Sequence, residues 1–138
     1  MRRVGRSSSG GQATRSLHGR IHFVKFQDDP WRLYPEFDLV VHFSTRAEPF
    51  GRVVVEAMAC GVPVVAAHTG GPAEIVQHSV TGWLIAPGDG DALSRRMVES
   101  MPGDFGALRA AALRAAETRF SADRLPREVA GVLRRVAG

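Results

Sequence analysis

Two short apolar runs separated by a helix-length segment constrain the fold of this chain more than any other feature. The runs are FDLVVHF at residues 37–43 and VPVVAA at residues 62–67. Nearly continuous apolar runs of this length are typical of strands that are covered on both faces. Between them, RVVVEAMACG at residues 52–61 ends on a glycine, as helices commonly do. A strand, a helix and a second strand predict a right-handed βαβ unit in a parallel sheet.

The same alternation continues on both sides of this unit. Residues 21–26 and 81–87 have the composition of strands, which predicts a sheet of about four parallel strands. A glycine loop after the second apolar run leads into a short helix with Pro72 at its first position. Further helices are predicted over residues 88–101, 104–120 and 121–138. The predicted fold class is therefore α/β, a Rossmann-like parallel sheet with flanking helices.

The basic charge of the chain is concentrated near its start. The net charge is +4, and residues 1–20 hold five of the 18 basic residues and none of the 14 acidic ones. Because this segment is rich in arginine, serine and glycine, we expect a disordered basic leader before a domain over residues 21–138. The domain itself is close to neutral, which argues against nucleic-acid binding.

Cysteine content and hydropathy narrow the class of protein further. The single cysteine excludes an internal disulfide and a zinc cluster built from thiolates. No apolar run approaches the roughly 18 residues of a membrane-spanning helix, and the leader lacks the apolar core of a signal peptide. We therefore expect a cytoplasmic protein.

Glu56 lies within the predicted helix, with apolar residues before and after it. A helix that is apolar almost all round should be buried. A lone buried carboxylate costs several kcal/mol unless it is paired or hydrogen-bonded, so Glu56 needs a partner. Two partners fit equally well at this point: a bound polyol such as a ribose, with two adjacent hydroxyl groups, or an arginine in a structural ion pair.

Glu48 lies in the loop that precedes the same helix. Ligands of open parallel sheets bind at the carboxyl ends of the strands, and a helix N-terminus placed there offers free N–H groups to an anion. Gly51 would let a diphosphate approach the backbone closely. Glu48 could then accept hydrogen bonds from a sugar beyond the phosphates, although an isolated loop glutamate is usually a solvated side chain.

Several sequence elements occur together and in order, which makes the pattern more specific than either glutamate alone. They are ST-R, a pair of glutamates eight positions apart (Glu48 and Glu56), G-x-PVVA, TGG-x-x-E-I-V and TGWL-APGD. The run VHFSTRAEPFGRVVVEAMACGVPVVAAHTGGPAEIVQHSVTGWLIAPGD resembles the donor-binding half of retaining GT-B glycosyltransferases of the family-4 type, also called glycosyl transferases group 1.

This resemblance implies roles for individual residues. Glu56 would bind the ribose of the nucleotide, and Glu48 would contact the donor sugar and is the candidate catalytic residue. Sugar hydroxyls and the distal phosphate would meet the backbone N–H groups of Phe50, Gly51, Arg52 and Val53, with Gly70 and Gly71 in a loop near the donor. The implied reaction transfers a sugar from a nucleotide-diphosphate-sugar with retention of configuration. The donor is a substrate, and the resemblance implies neither a cofactor nor a metal.

A complete enzyme of this type has a second Rossmann-like domain, so we expect this chain to carry only part of the donor site. A separate N-terminal domain would then bind the acceptor, whose identity the sequence does not indicate. An incomplete sheet would expose an unpaired edge through which chains could self-associate. Two alternatives remain open: a non-catalytic nucleotide-sugar-binding remnant and one part of a split enzyme. A sugar-nucleotide epimerase uses the same architecture, but the EPFG-VVVEAMACG run favours the transferase.

Overall fold

Three short parallel strands form the sheet in the computed structural model, which describes residues 19–101 and 103–121. The strands are hydrogen-bonded in chain order: β1 (Val40–His42), β2 (Val64–Ala67) and β3 (Trp83–Ile85). Because all three are parallel, their carboxyl ends meet at one edge of the sheet. The α/β class and the Rossmann-like arrangement are confirmed, with three strands in the described part of the chain where about four were predicted.

Two helices connect the three strands, as the alternating pattern predicted, and two more follow the last strand within the described residues. They are α1 (Arg52–Ala59), α2 (Gly70–Ile75), α3 (Gly90–Ser100) and α4 (Gly106–Phe120). The sequence placed the start of α2 at Pro72, but the helix begins two residues earlier, at Gly70. No helix in the described ranges is long and apolar enough to cross a membrane.

Burial differs between the first two strands. All four residues of β2 are buried, as predicted for a strand covered on both faces. In β1 Val40 is buried but Val41 is 37% exposed, so the same prediction is wrong for this strand. The reason is position: in the described sheet β2 lies between two neighbours, whereas β1 has a neighbour on one side only.

A glycine in the left-handed conformation ends α1, as the sequence predicted. Gly61 has φ 68°. Its N–H donates to the carbonyl of Met58 at 3.0 Å, and the N–H of Val62 donates to the carbonyl of Ala57 at 3.0 Å. This pair of bonds is the Schellman motif, which satisfies carbonyls that a helix end otherwise leaves open. The chain can therefore turn directly from α1 into β2.

The core lies where α1 packs against α4 on one side of the sheet. Val54, Ala57 and Met58 of α1 are fully buried, and they share one cluster of buried side chains with Ala112 and Ala116 of α4. Alanines at the contact let the two helices approach closely. The helix is not buried throughout, because Arg52, Val53 and Ala59 are exposed. The expectation that this helix, apolar almost all round, should be buried is therefore wrong.

The predicted strand over residues 21–26 does not form. These residues have no regular secondary structure, and Phe23 and Phe26 are 95% and 89% exposed. The β-propensity of a segment reflects packing against neighbouring strands, and no strand of the described sheet lies beside this one. The predicted helix over 121–138, except for Ser121, and the leader, except for residues 19 and 20, lie outside the described residues.

A larger side chain in the α1–α4 contact tests this packing. We expect Ala112→Leu to lower the free energy of unfolding by about 1–3 kcal/mol, because a close-packed interior has no room for three more carbon atoms. Denaturant unfolding of the chain measures the change. Ala107→Leu adds the same atoms at an exposed position of the same helix and serves as the control. Equal stabilities of the two variants would contradict the packing described.

Candidate functional site

Two loops meet at the carboxyl edge of the sheet. One leaves β1 and enters α1 over residues 43–51, and the other leaves β2 and enters α2. The N–H of Gly71 donates to the backbone carbonyl of Glu48 at 2.7 Å, which joins the second loop to the first. Since each loop also opens a helix, this bond fixes the starts of α1 and α2 relative to each other.

Gly70 and Gly71 make this contact possible because they have no side chains. A Cβ on Gly70, whose φ is 59°, would overlap the backbone oxygen of Glu48, and a Cβ on Gly71 would overlap the backbone carbonyl of Phe50. The two glycines, expected in a flexible loop, are instead the first residues of α2, and Gly71 is buried. They bring two stretches of backbone together at the edge where ligands of such sheets bind.

The side chain of Glu48 is held by a histidine that the sequence did not assign to the site. Nε2 of His42, the last residue of β1, lies 2.6 Å from Oε2 of Glu48. Nδ1 of His42 is buried and has no hydrogen-bond partner among the residues that the structure describes. The tautomer with its hydrogen on Nε2 fits best, because it donates to Glu48 and leaves no buried N–H without an acceptor.

The placement of His42 at the end of β1, beside Glu48, distinguishes it from a histidine of the core. Its side chain is 16% exposed, and that of Glu48 is 35% exposed. The one signal in the sequence was that His42 lies near the end of an apolar run, and therefore close to the loop that bears Glu48. The structure brings the two together.

Both carboxylate oxygens of Glu56 have partners. The hydroxyl of Tyr34 donates to Oε2 at 3.0 Å, and Nε of Arg52 donates to Oε1 at 2.6 Å. Of the two partners that the sequence left open, an arginine is therefore present. The two contacts differ in burial: Tyr34 is 6% exposed, whereas the side chain of Arg52 is 72% exposed. Water screens an exposed ion pair, so the Arg52 contact adds little stability and can be exchanged at little cost.

The charge of Glu56 also affects the groups around it. Burial, the hydrogen bond to Glu56 and the negative charge of Glu56 raise the pKa of Tyr34 to about 12. The phenol of Tyr34 therefore remains protonated throughout the physiological pH range, and it can donate a hydrogen bond. Burial and the charge of Glu56 also raise the pKa of the Cys60 thiol, which disfavours the thiolate that a nucleophile would need.

The start of α1 lies between the two glutamates. Gly51, in the left-handed conformation at φ 79°, precedes the helix, and among the described residues no side chain caps the first turn. Phe50 is half-exposed and contacts Phe120 of α4 edge-on, with 6.4 Å between ring centroids. The backbone of Arg52 and Val53 opens the helix, so their N–H groups belong to the set that helices leave without intrahelical partners.

A cavity of about 430 Å³ lies elsewhere, beside the amino end of β3. Trp83, Phe105 and Leu108 line it, and Asp104 is the charged residue in its wall. The lining of this cavity is mostly apolar. The two loops instead hold two positioned carboxylates and an uncapped helix start, which can bind a polar, anionic ligand. We therefore assign the site to the loops.

Tyr34 is the only tyrosine of the chain, so the Tyr34–Glu56 contact can be measured directly. We expect phenolate absorbance to rise with a midpoint near pH 12 and Glu56→Gln to move the midpoint towards 10, because the neutral amide removes the charge that opposes ionisation. Glu48→Gln is the control and should leave the midpoint unchanged. A midpoint that Glu56→Gln does not lower would contradict the contact.

Comparison with known proteins agrees with this fold. Residues 12–116 match the family model described as glycosyl transferases group 1. N-acetyl-alpha-D-glucosaminyl L-malate synthase of Bacillus anthracis is 37% identical over 90 residues, which cover 64% of this chain and 23% of that protein. Sucrose synthase 2 of Zea mays is 52% identical over 52 residues, which cover 38% of this chain and 6% of that protein.

Solved structures give the same result. Anabaena HepE in complex with UDP-glucose matches with a TM-score of 0.78 and 38% identity, over 86% of this chain and 33% of that chain. A glycosyltransferase from Rickettsia africae has the same fold, with a TM-score of 0.80 at 23% identity. The chain thus spans about a third or less of the length of these relatives. The resemblance stated from the sequence elements is confirmed: the chain belongs to the glycosyl transferases group 1 family.

Proposed function

We propose that the two loops and the first turn of α1 form part of a nucleotide-diphosphate-sugar site, which this chain contributes to a retaining glycosyltransferase. The observation that carries the proposal is the uncapped start of α1, with a positioned carboxylate on either side, Glu48 held by His42 and Glu56 by Tyr34. The relative HepE, whose structures contain UDP-glucose, UDP, or UDP and glucose, supports this choice of ligand.

In this proposal the diphosphate lies over the first turn of α1. The helix dipole and the N–H groups there attract anions, and Gly51 leaves room for a phosphate close to the backbone. The ligating N–H groups are those of Phe50, Gly51, Arg52 and Val53. Gly70 and Gly71 act indirectly, by holding the two loops at the distance that the pocket needs.

Glu56 binds the ribose through an exchange of partners. The buried Tyr34 stays on Oε2, while the exposed Arg52 leaves Oε1, to which a ribose hydroxyl then donates. Arg52 begins α1, so the freed guanidinium remains close to the proposed diphosphate. The ion pair seen in the structure and the bound ribose are therefore two states of one site.

Glu48 contacts the donor sugar and is the proposed catalytic residue. Retention of configuration follows when the acceptor attacks the face from which the diphosphate departs, with the diphosphate assisting. Catalysis then rests on positioning and on stabilisation of the leaving diphosphate. Neither a cofactor nor a metal takes part in this proposal.

A binding module without transfer activity is the alternative, and it would use the same pocket. The two differ in turnover: a transferase, assembled with an acceptor-binding domain, releases UDP from UDP-glucose, whereas a binding module returns the donor intact. Such a domain would come from outside this chain, either N-terminal to it or as the other part of a split enzyme.

Binding of UDP tests the proposed pocket. We expect UDP to bind and Glu56→Ala to weaken binding about tenfold or more, because hydrogen bonds to a charged group contribute about 1.5–3 kcal/mol. Isothermal titration calorimetry with UDP and with UDP-glucose measures both affinities. Glu99→Ala, which removes an exposed carboxylate of α3, is the control. A chain that binds no UDP at millimolar concentration would refute the pocket.

The edge of β1 that no strand of the described residues pairs with is the proposed surface for self-association. An edge strand presents unpaired N–H and C=O groups, and the half-exposed Val41 adds an apolar side chain. We expect sedimentation to show association that grows with concentration and that Val41→Lys weakens, because lysine on an edge strand hinders pairing. Val80→Lys, at an exposed position outside β1, is the control. A chain that stays monomeric at high concentration would contradict this proposal.

A further inference from the structure

We propose that Tyr34 is a positioning residue that holds the Glu56 carboxylate for the ribose of the nucleotide. The proposal rests on the function proposed above and assigns a specific role to a residue that lies outside the sequence elements of the family. Tyr34 lies 22 residues before Glu56, outside both loops of the site, and reaches it through one hydrogen bond.

The backbone around Tyr34 fixes the direction of its hydroxyl. Two 3₁₀ turns, Pro30–Arg32 and Tyr34–Glu36, carry the chain past α1, each with a proline in its first two residues. The N–H of Phe37 donates to the carbonyl of Tyr34 at 3.0 Å, and the two rings meet edge-on at 6.3 Å. A buried side chain held in this way has little freedom, so its hydroxyl can fix the position of a flexible glutamate.

The hydroxyl of Tyr34 is a suitable hydrogen-bond donor for a carboxylate that must also bind a ligand. Tyr34 occupies Oε2 with a neutral O–H, which leaves the negative charge of Glu56 uncompensated from that side. Oε1 faces the exposed Arg52 and remains available for exchange. Because the pKa of Tyr34 is raised to about 12, the hydroxyl donates at every pH at which the protein would work.

A structural role alone does not account for the hydroxyl group. Phenylalanine would fill nearly the same space in the core beside Val54 and Met58, and it would leave no buried hydroxyl to satisfy. In a purely structural role, the hydroxyl of Tyr34 would contribute only its one hydrogen bond to Glu56. A role in positioning predicts an effect on one part of the ligand, the ribose, whereas a role in packing predicts an effect on the stability of the fold.

The experiment compares two ligands that differ only at the ribose. Calorimetry gives the affinities of UDP and 2′-deoxy-UDP for the unmodified chain, Tyr34→Phe, Glu56→Gln and Phe37→Leu. We expect the unmodified chain to prefer UDP, Glu56→Gln to abolish the preference, and Tyr34→Phe to reduce it about two- to tenfold. Phe37→Leu disturbs the packing around Tyr34 without removing its hydroxyl, and it should keep the preference.

The outcomes separate this proposal from the proposed function. If Glu56→Gln abolishes the preference for UDP while Tyr34→Phe keeps it, Tyr34 has no positioning role and the ribose still binds Glu56. If Phe37→Leu reduces the preference as much as Tyr34→Phe does, packing explains the effect and the proposal is again overturned. If the unmodified chain binds UDP and 2′-deoxy-UDP equally, Glu56 does not bind the 2′-hydroxyl of the ribose, and the positioning role of Tyr34 is overturned. The proposed pocket is refuted only if UDP itself does not bind.

Discussion

The bond between Gly71 and the carbonyl of Glu48 joins the two halves of the candidate site, and most of the geometry described above depends on it. It can form only because Gly70 and Gly71 have no side chains to keep the two loops apart. Through this contact the start of α1 and the start of α2 occupy one edge of the sheet. Glu48 is thereby held at its backbone by a glycine and at its side chain by His42, so that its carboxylate has a defined position before any ligand arrives.

Local sequence patterns correctly predicted the elements that depend on local contacts or that lie at the centre of the sheet. The Schellman end of α1 at Gly61 and the fully buried β2 follow from residue type and from apolar runs. Prediction failed where an element depends on a neighbour: residues 21–26 have strand composition, but no strand of the described sheet pairs with them. The predicted burial of Val41 was wrong for the same reason, because burial on both faces requires cover that an edge strand lacks.

Glu56 illustrates both the strength and the limit of reasoning from burial. Glu56 has a partner on each oxygen, as expected, although its side chain is 22% exposed and the helix around it is not buried on all sides. Of the two partners, Arg52 is four residues away in the same helix and was within reach of sequence reasoning. Tyr34 was not, because a contact across 22 residues depends on how the 3₁₀ turns pass α1. The contact between His42 and Glu48 is of the same kind, because it arises only once the chain is folded.

We propose that the start of α1, between Glu48 and Glu56, binds the nucleotide part of a sugar donor. Backbone amide NMR during titration with UDP tests this proposal, because each N–H reports its own surroundings. We expect the largest shifts to fall on residues 50–53, with smaller ones at Gly70 and Gly71. Shifts concentrated instead around Trp83 and Phe105, beside the cavity at the amino end of β3, would contradict it.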